Sequence, residues 1–252
     1  MKIVILGYTG LIGSYVLENI IKKTSHQIIC VGRKIENKPY KNSRIKYFKW
    51  DFTSFDSLNL SFLNKANIII NCVGKTENKE DNLEIINVIF VKKLLKHINS
   101  FKHKIRFVHL SSVAVYGGIK QYFSRNKLIS EHSVIKANDL YSKSKSKADL
   151  LLQNSYNKNF SYTILRITNV FGGKKKSNLF KFLRFSLKFG FWIKCYNDVM
   201  FNFVNVRDVS QAVILTLSKL EVSKNKIYIV SDDCKQFQIY KNYENVYKKN
   251  SQ

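Results

Sequence analysis

Tyr141 and Lys145 lie four residues apart in a stretch of helical spacing, so their side chains share one face. A free phenol ionises near pH ~10 and is a poor base at neutrality. A neighbouring ammonium favours the phenolate and lowers that value. The pair therefore has the make-up of a general acid/base for a hydroxyl or a carbonyl. Ser111 and Ser112 close an apolar run, and a hydroxyl at a strand end can hold a substrate oxygen beside the tyrosine. Ser112 sits where the run at residues 105–111 stops. In a chain with 14 tyrosines and 43 Lys plus Arg, Tyr-x-x-x-Lys arises readily by chance; its weight comes from the residues that accompany it.

A second constellation opens the chain. Gly7-Tyr8-Thr9-Gly10-Leu11-Ile12-Gly13 follows Ile3-Val4-Ile5-Leu6 and precedes an amphipathic stretch from Tyr15 to Lys23. A buried strand, a tight glycine turn and a helix N-terminus make a dinucleotide pyrophosphate site. Backbone N–H groups and the positive helix end face the phosphates, and the missing side chains let the backbone approach them. Glycines so spaced are a weak signal alone. With Ser111-Ser112 and Tyr141-x-x-x-Lys145 downstream in this order, they point to a redox enzyme.

These groups need a scaffold that gathers distant segments. Short apolar runs at 2–6, 27–31, 45–50, 67–72, 105–111 and 162–167 read as buried strands, and helix-period stretches at 12–23, 55–63, 83–98 and 139–154 alternate with them. The alternation predicts an α/β fold, a Rossmann-type doubly wound parallel sheet. Ligands of such sheets bind at the carboxyl ends of the strands, where Ser112 falls. After Gly172-Gly173 the pattern changes to a helix near 179–189, a strand near 199–204, a helix near 208–220 and a strand near 226–230. The expected division is an NAD(P)-binding domain over 1–170 and a small substrate-binding region with a polar tail over 171–252. The elements near 199–220 are expected to rejoin the first domain.

Composition narrows the class. With 252 residues, 45% of them hydrophobic, the chain can bury one sizeable core. No run of about eighteen apolar residues occurs, so no membrane span is expected. The apolar run after Met1-Lys2 is too short for a signal peptide. Cys30, Cys72, Cys195 and Cys234 lie far apart without metal-ligand spacing, which reads as reduced thiols in a cytoplasmic protein that holds no metal. The net charge of +26 favours anionic ligands such as nucleotides. Its lysines are scattered, as in Lys22-Lys23 and Lys92-Lys93, like a solvated face. No helix-turn-helix, zinc-finger or aromatic-platform motif supports nucleic-acid binding. Residues 179–194 join aromatics to cations; such a helix can contact a membrane surface, but core packing is the expectation.

On these residues the chain resembles the extended short-chain dehydrogenases/reductases, in the NAD-dependent epimerase/dehydratase group that often acts on nucleotide sugars. The resemblance covers roughly residues 1–220. Gly7 to Gly13 is similar to the family's cofactor turn, Asp51-Phe52 to its adenine-contacting pair and Asn71-Cys72-Val73-Gly74 to the segment lining the cofactor. Asn87 fits the helix asparagine near the active site. Leu110-Ser111-Ser112-Val113-Ala114-Val115-Tyr116-Gly117 matches the strand and loop that carry the catalytic serine, and counting back from Val115-Tyr116-Gly117 selects Ser112. Leu165 to Gly172 resembles the strand entering the substrate domain, and Phe203 to Val209 a late strand-to-helix junction in which Asp208 also fits an N-cap. The resemblance implies that Tyr141 exchanges a proton with the substrate, that Lys145 lowers the tyrosine pKa and bonds the nicotinamide ribose, and that Ser112 orients the reacting oxygen. It further implies that Gly7, Thr9, Gly10, Leu11, Ile12, Gly13, Asp51, Phe52, Cys72, Val73, Gly74 and Asn87 surround the cofactor.

The departures are informative. Gly32 stands where NAD-using relatives place an acid on the ribose 2′-hydroxyl, and Arg33-Lys34 follow. A cation there accommodates a 2′-phosphate, which favours NADP over NAD with Arg33 as its contact; Glu36 can reach back and reverse that preference. Val113-Ala114 occupies the place of the Asp-Glu pair of sugar 4,6-dehydratases, which argues against dehydration. Asn169 and Asn178 resemble residues that touch the nucleotide and its diphosphate. Phe201, however, replaces a phosphate-binding arginine, and Lys174 to Lys176 or Lys194 would have to supply the charge. The expectation is an NAD(P)-dependent epimerase or ketoreductase of a nucleotide sugar, compatible with a homodimer. The alternatives are a reductase of a small carbonyl or lipid-linked substrate and a non-catalytic dinucleotide-sensing regulator. Intact Ser112, Tyr141 and Lys145 argue against the regulator.

Overall fold

The computed structural model describes residues 1–35, 39–54, 60–76, 80–117, 128–173, 185, 189, 200–235, 237, 238 and 241. The chain runs through β1 (Lys2–Leu6), α1 (Leu11–Lys23), β2 (Gln27–Gly32), β3 (Ile45–Lys49), β4 (Ile68–Asn71), α2 (Glu80–Leu83), α3 (Phe90–Ile98) and β5 (Ile105–Ser112). It continues through α4 (Leu140–Asn154), β6 (Phe160–Ile167), β7 (Asn169–Phe171), β8 (Met200–Asn205), α5 (Val206–Ser218), β9 (Lys226–Val230) and β10 (Asp232–Lys235). Seven strands form one sheet in the order β3-β2-β1-β4-β5-β6-β9, and β10-β8-β7 form a second. Every pairing in the large sheet is parallel, as the α/β alternation predicts.

A strand covered on both faces must be apolar on both, and β1 is: Ile3 and Ile5 point to one side, Val4 and Leu6 to the other, all fully buried. Ile3 and Ile5 pack with Val16, Leu17 and Ile20 of α1 and Val209 and Val213 of α5. Val4 and Leu6 pack with Phe90, Val91 and Leu94 of α3 and with Ala148 and Leu152 of α4. Each such side chain contributes ~1.5–3 kcal/mol. The two layers hold the carboxyl ends of β1, β4 and β5 side by side. Helix α4 starts sharply because Asp139 and Ser142 form a reciprocal capping box. The N-cap of α5 is Asn205, whose side chain accepts from the Arg207 N–H at 2.9 Å; Asp208 lies in its first turn and is not the cap.

Three expectations change. Of the helix expected over 55–63, the described part is a 3₁₀ turn, Leu60–Leu63, and 55–59 lie outside the described residues. The helix expected over 83–98 is interrupted by a π-helical turn, Glu84–Ile89, between α2 and α3. Of the elements expected near 199–220 to rejoin the first domain, β8 pairs with β7 and β10 and not with the large sheet, although its Val204 packs in the core with α1, and α5 packs on α1; β9 adds to β6. The helix expected near 179–189 falls almost wholly outside the described residues. Among the described residues, no helix is long and apolar enough to cross a membrane.

Candidate functional site

The glycine turn at the end of β1 is tied down by its own backbone. Gly7 adopts φ +79°, open to glycine at little strain. Its N–H donates to the Val31 carbonyl at 2.8 Å, and its carbonyl accepts from Gly10 N–H at 3.0 Å. A Cβ on Gly13 would stand 2.3 Å from the Gly7 carbonyl oxygen, so only glycine lets α1 come this close. Helix α1 begins behind Gly10, which has no side chain to cap it, and carries no acid in its first turn. The first-turn N–H groups and positive helix end are what an approaching pyrophosphate requires. The residues present thus fit a dinucleotide.

The segment after β4 packs onto this turn. A Cβ on Gly7 would meet Val73 Cγ2 at 3.1 Å and the Cys72 carbonyl at 3.2 Å, and one on Gly74 would stand 3.1 Å from Lys145 Nζ. Cys72, Val73 and Gly74 therefore join the glycine turn to α4. Asn87, in the π-helical turn, braces the same segment. Its amide accepts from Lys75 N–H (2.9 Å) and donates to Lys75 O (3.0 Å) and to Ser144 Oγ (2.9 Å). The Ser144 hydroxyl donates in turn to the Tyr141 carbonyl at 2.7 Å. π-turns inside helices often sit at functional sites, and this one inserts a buried asparagine between two elements of the site.

Ser112 and Tyr141 meet. The Ser112 hydroxyl comes near enough to the Tyr141 phenol to favour its ionised form, and it accepts from Ala114 N–H at 3.2 Å, capping the 3₁₀ turn Val113–Tyr116. Ser111 points elsewhere: its hydroxyl acts on the buried Asp149 carboxylate, although neither Ser111 Oγ nor Asp149 Oδ1 completes a hydrogen bond of normal geometry. Lys145, one turn beyond Tyr141, is buried and donates to the Leu110 carbonyl at 3.0 Å. Burial pulls its ammonium down to about 8, against the opposing pull of Asp149 and Cys72. The expected lowering of the tyrosine pKa by Lys145 is corrected here. Burial pushes Tyr141 above its ordinary 10, and the nearby Ser112 hydroxyl only partly opposes it. Lysine and tyrosine share a face, but the ammonium is turned to a backbone carbonyl. The phenol therefore holds its proton, the form that can donate to a carbonyl oxygen.

A family model of NAD dependent epimerases/dehydratases matches residues 3–231. The chain belongs to the NAD-dependent epimerase/dehydratase family. No curated protein matches it in sequence. Among solved structures, UDP-glucuronic acid 4-epimerase from Bacillus cereus in complex with NAD superposes with a TM-score of 0.81 at 16% identity, over 98% of this chain and 84% of that one. UDP-N-acetylglucosamine 4-epimerase from Methanobrevibacter ruminantium M1 matches with a TM-score of 0.78 at 18% identity, over 98% and 82%. The terminal R domain of the myxalamid PKS-NRPS pathway matches with 0.78 at 19%, over 97% and 70%. At these identities the likeness shows the shared fold.

The remaining candidates of this epimerase/dehydratase chain lie around the rim. Thr9 is exposed beside Gly32, while Leu11 and Ile12 are half-buried at the start of α1. Arg33 and Lys34 are exposed just past β2. Asp51 is exposed, but its carboxylate accepts from Thr53 N–H (3.0 Å) and Ser54 N–H (3.3 Å), bonds that hold it below its ordinary pKa. The Phe52 side chain lies in the core against Trp50 and Phe90, and its backbone adopts φ +70°. Asn169 is exposed at the start of β7. Asn178, Glu36, Lys174 to Lys176 and Lys194 lie outside the described residues. Sequence reasoning missed the buried pair beneath the site: Arg166 Nε donates to Asp149 Oδ2 at 3.0 Å, and its Nη1 donates to the Tyr116 hydroxyl at 2.5 Å. The available signal was Asp149 itself, an acid four residues past Lys145 on the same helix face.

Proposed function

We propose that this chain is an NAD(P)-dependent epimerase or ketoreductase of a nucleotide sugar, with Tyr141, Ser112 and Lys145 as its proton-handling residues. The observation that carries this reading is the convergence of the Ser112 hydroxyl, at the end of β5, on the Tyr141 phenol, with Lys145 one turn along α4 and against Gly74. Tyr141 gives its proton to a carbonyl oxygen that Ser112 orients; taking a proton from a hydroxyl requires the Lys145 ammonium to leave the Leu110 carbonyl and turn to the phenol. Lys145, on release from the Leu110 carbonyl, supplies positive charge to the phenol and a donor for a ribose hydroxyl. Gly7, Thr9, Gly10, Leu11, Ile12 and Gly13 would hold the pyrophosphate, Asp51 and the Phe52 backbone the adenine, and Cys72 to Gly74 the nicotinamide side. Asn87 serves that side by bracing Lys75. When bound, the dinucleotide supplies hydride transfer, chemistry that belongs to the cofactor.

NADP is the favoured dinucleotide, because Gly32 offers no acid to a ribose 2′-hydroxyl and Arg33 follows it. Dehydration is disfavoured, because Val113 and Ala114 bring no carboxylate next to Ser112. Support for a nucleotide sugar comes from the neighbouring structures, which hold UDP-glucuronic acid with NAD and UDP-N-acetylmuramic acid. The region from 171 onward, with β7, β8 and β10, is read as the substrate side, where Asn169 and Asn178 would meet the nucleotide. A second reading, reduction of a small carbonyl substrate, draws on Phe201. It stacks on Phe203 at 5.6 Å and 15° at the position where sugar-nucleotide epimerases often have a phosphate-binding arginine. One experiment separates these readings: incubation with keto and hydroxy nucleotide sugars while NADPH is followed by absorbance and product by NMR. An epimerase regenerates its cofactor, whereas a reductase consumes it in step with product. Tyr141→Phe should abolish turnover and leave dinucleotide affinity nearly unchanged; full activity in that variant would falsify the proposed role.

A further inference from the structure

We infer that Tyr8, between the first two glycines of the turn, decides which dinucleotide this chain accepts: its ring fills the place an acidic side chain at position 32 would need, and its hydroxyl fixes the turn that carries Arg33 and Lys34. Gly32 ends β2 outside the left-handed region, so the backbone there does not itself demand glycine. Space does. A Cβ at position 32 would stand 2.9 Å from Tyr8 Cε1, 3.2 Å from Tyr8 Cδ1 and 3.3 Å from Thr9 Cγ2.

Neither partner can retreat. The Gly32 carbonyl accepts from Trp50 N–H at 2.9 Å, and the residue is paired with Lys49 in the sheet. The Tyr8 ring is 1% exposed, lies 5.5 Å from the Tyr47 ring, and its hydroxyl donates to the Lys34 carbonyl at 3.2 Å. Burial pushes that phenol up to about 12, so it stays a donor throughout the neutral range. The Tyr8–Lys34 bond closes the backbone around Arg33, whose side chain is exposed. A planar guanidinium carried on a backbone so fixed is suited to a 2′-phosphate, which it can grip with charge-assisted bonds. Tyr8 thus works on both sides of the choice, against a carboxylate for the ribose diol and for a cation beside a phosphate. The second half rests on the NADP preference proposed above; the first does not.

The test is a binding cycle on the whole chain, with NADH and NADPH titrated by calorimetry and each variant's melting temperature recorded. Gly32→Asp alone should lower the melting temperature and weaken both dinucleotides, because ring and carboxylate compete for one space. Adding Tyr8→Ala to it should strengthen NADH about tenfold over the single variant, the worth of one charge-assisted hydrogen bond, and invert the preference. Tyr8→Phe keeps the packing and removes only the anchor, so NADPH should weaken severalfold with NADH unchanged. Gly32→Asp that alone gains NADH affinity at an unchanged melting temperature overturns the steric half, as does a double variant no better than the single. Equal losses of NADH and NADPH in Tyr8→Phe overturn the anchoring half. Tighter NADH than NADPH in the native chain defeats the NADP reading and the anchoring half with it, while the cycle between positions 8 and 32 still decides the steric half.

Discussion

Replacing Lys145 by methionine should make the ligand-free protein more stable and its chemistry worse. Lys145 is 5% exposed, so solvent does little to screen its charge. The ammonium ionises at about 8 in the fold against an ordinary 10.5. At ~1.36 kcal/mol per pH unit, keeping it charged in the fold at pH 7 costs ~3 kcal/mol. Methionine fills a similar volume without the charge and forgoes the bond to the Leu110 carbonyl, worth ~1 kcal/mol. The net gain at pH 7 is ~2 kcal/mol, or about 5 °C in a domain of this size. The sign with pH follows from the depressed value. Below about 8 both folded and unfolded chains carry the proton and the full penalty applies. Between 8 and 10.5 the unfolded chain alone holds it, and the penalty fades. Urea denaturation of both proteins at pH 7 and pH 10 should therefore show an advantage for Lys145→Met at pH 7 that shrinks at pH 10. Because the pair is compared at each pH, the other lysines and tyrosines cancel. A variant less stable at pH 7, or an advantage that grows with pH, would refute the reasoning. The same variant should bind dinucleotide more weakly, since the charge disfavoured in the fold is the one the site uses.

Two further outcomes follow from the buried charges. Asp149→Asn leaves Arg166 a buried unpaired cation and should destabilise the fold by ~3–5 kcal/mol, whereas Asp149→Leu with Arg166→Met should recover most of that; denaturation midpoints decide, and a loss under ~1 kcal/mol for the single change would count against the pair. Burial, with help from Lys145, holds His109 well below its ordinary 6.5, so the unfolded chain takes up a proton that the native one refuses. Stability should fall as the pH drops below about 6.5, and His109→Gln should flatten the slope between pH 7 and 5; an unchanged slope would assign the acid sensitivity elsewhere, for instance to His97, which burial also holds low.

The parallel sheet was legible because both-face burial leaves a plain mark. Ile3 to Leu6, Ile28 to Val31 and Ile68 to Ile70 are unbroken apolar runs, and short runs between helix-period stretches admit few other architectures. Ser112 was legible for the same reason, as a polar residue at the end of such a run. The second sheet was not. Strand β7 has three residues and β10 reads Asp-Asp-Cys-Lys, so neither carries a hydrophobic period, and both exist through pairing to β8. The π-turn left no mark either: Glu84 to Ile89 has ordinary helical composition, and the extra residue shows only in how Asn87 reaches Lys75 and Ser144.

What the sequence hides most thoroughly is where a polar head group ends. Spacing of four placed Tyr141 and Lys145 on one face, yet the sign of the tyrosine shift depends on whether the ammonium meets the phenol or the Leu110 carbonyl. That is settled by where the end of a flexible stem comes to rest. Partners drawn from distant segments are hidden in the same way. The Asn71 oxygen accepts from Val73 N–H at 3.0 Å, and its amide meets His109 Nδ1 at 3.2 Å. Asn87 meets Ser144, and Asp149 meets Arg166. These contacts fasten the segment after β4, the π-turn and α4 to β5 and β6, the elements that carry Ser112, Tyr141 and Lys145. Each is a polar group in a low-dielectric interior, where a satisfied bond strengthens and an unsatisfied one is expensive. These contacts limit where the elements can sit, and together with the apolar layers they hold Ser112 beside the Tyr141 phenol.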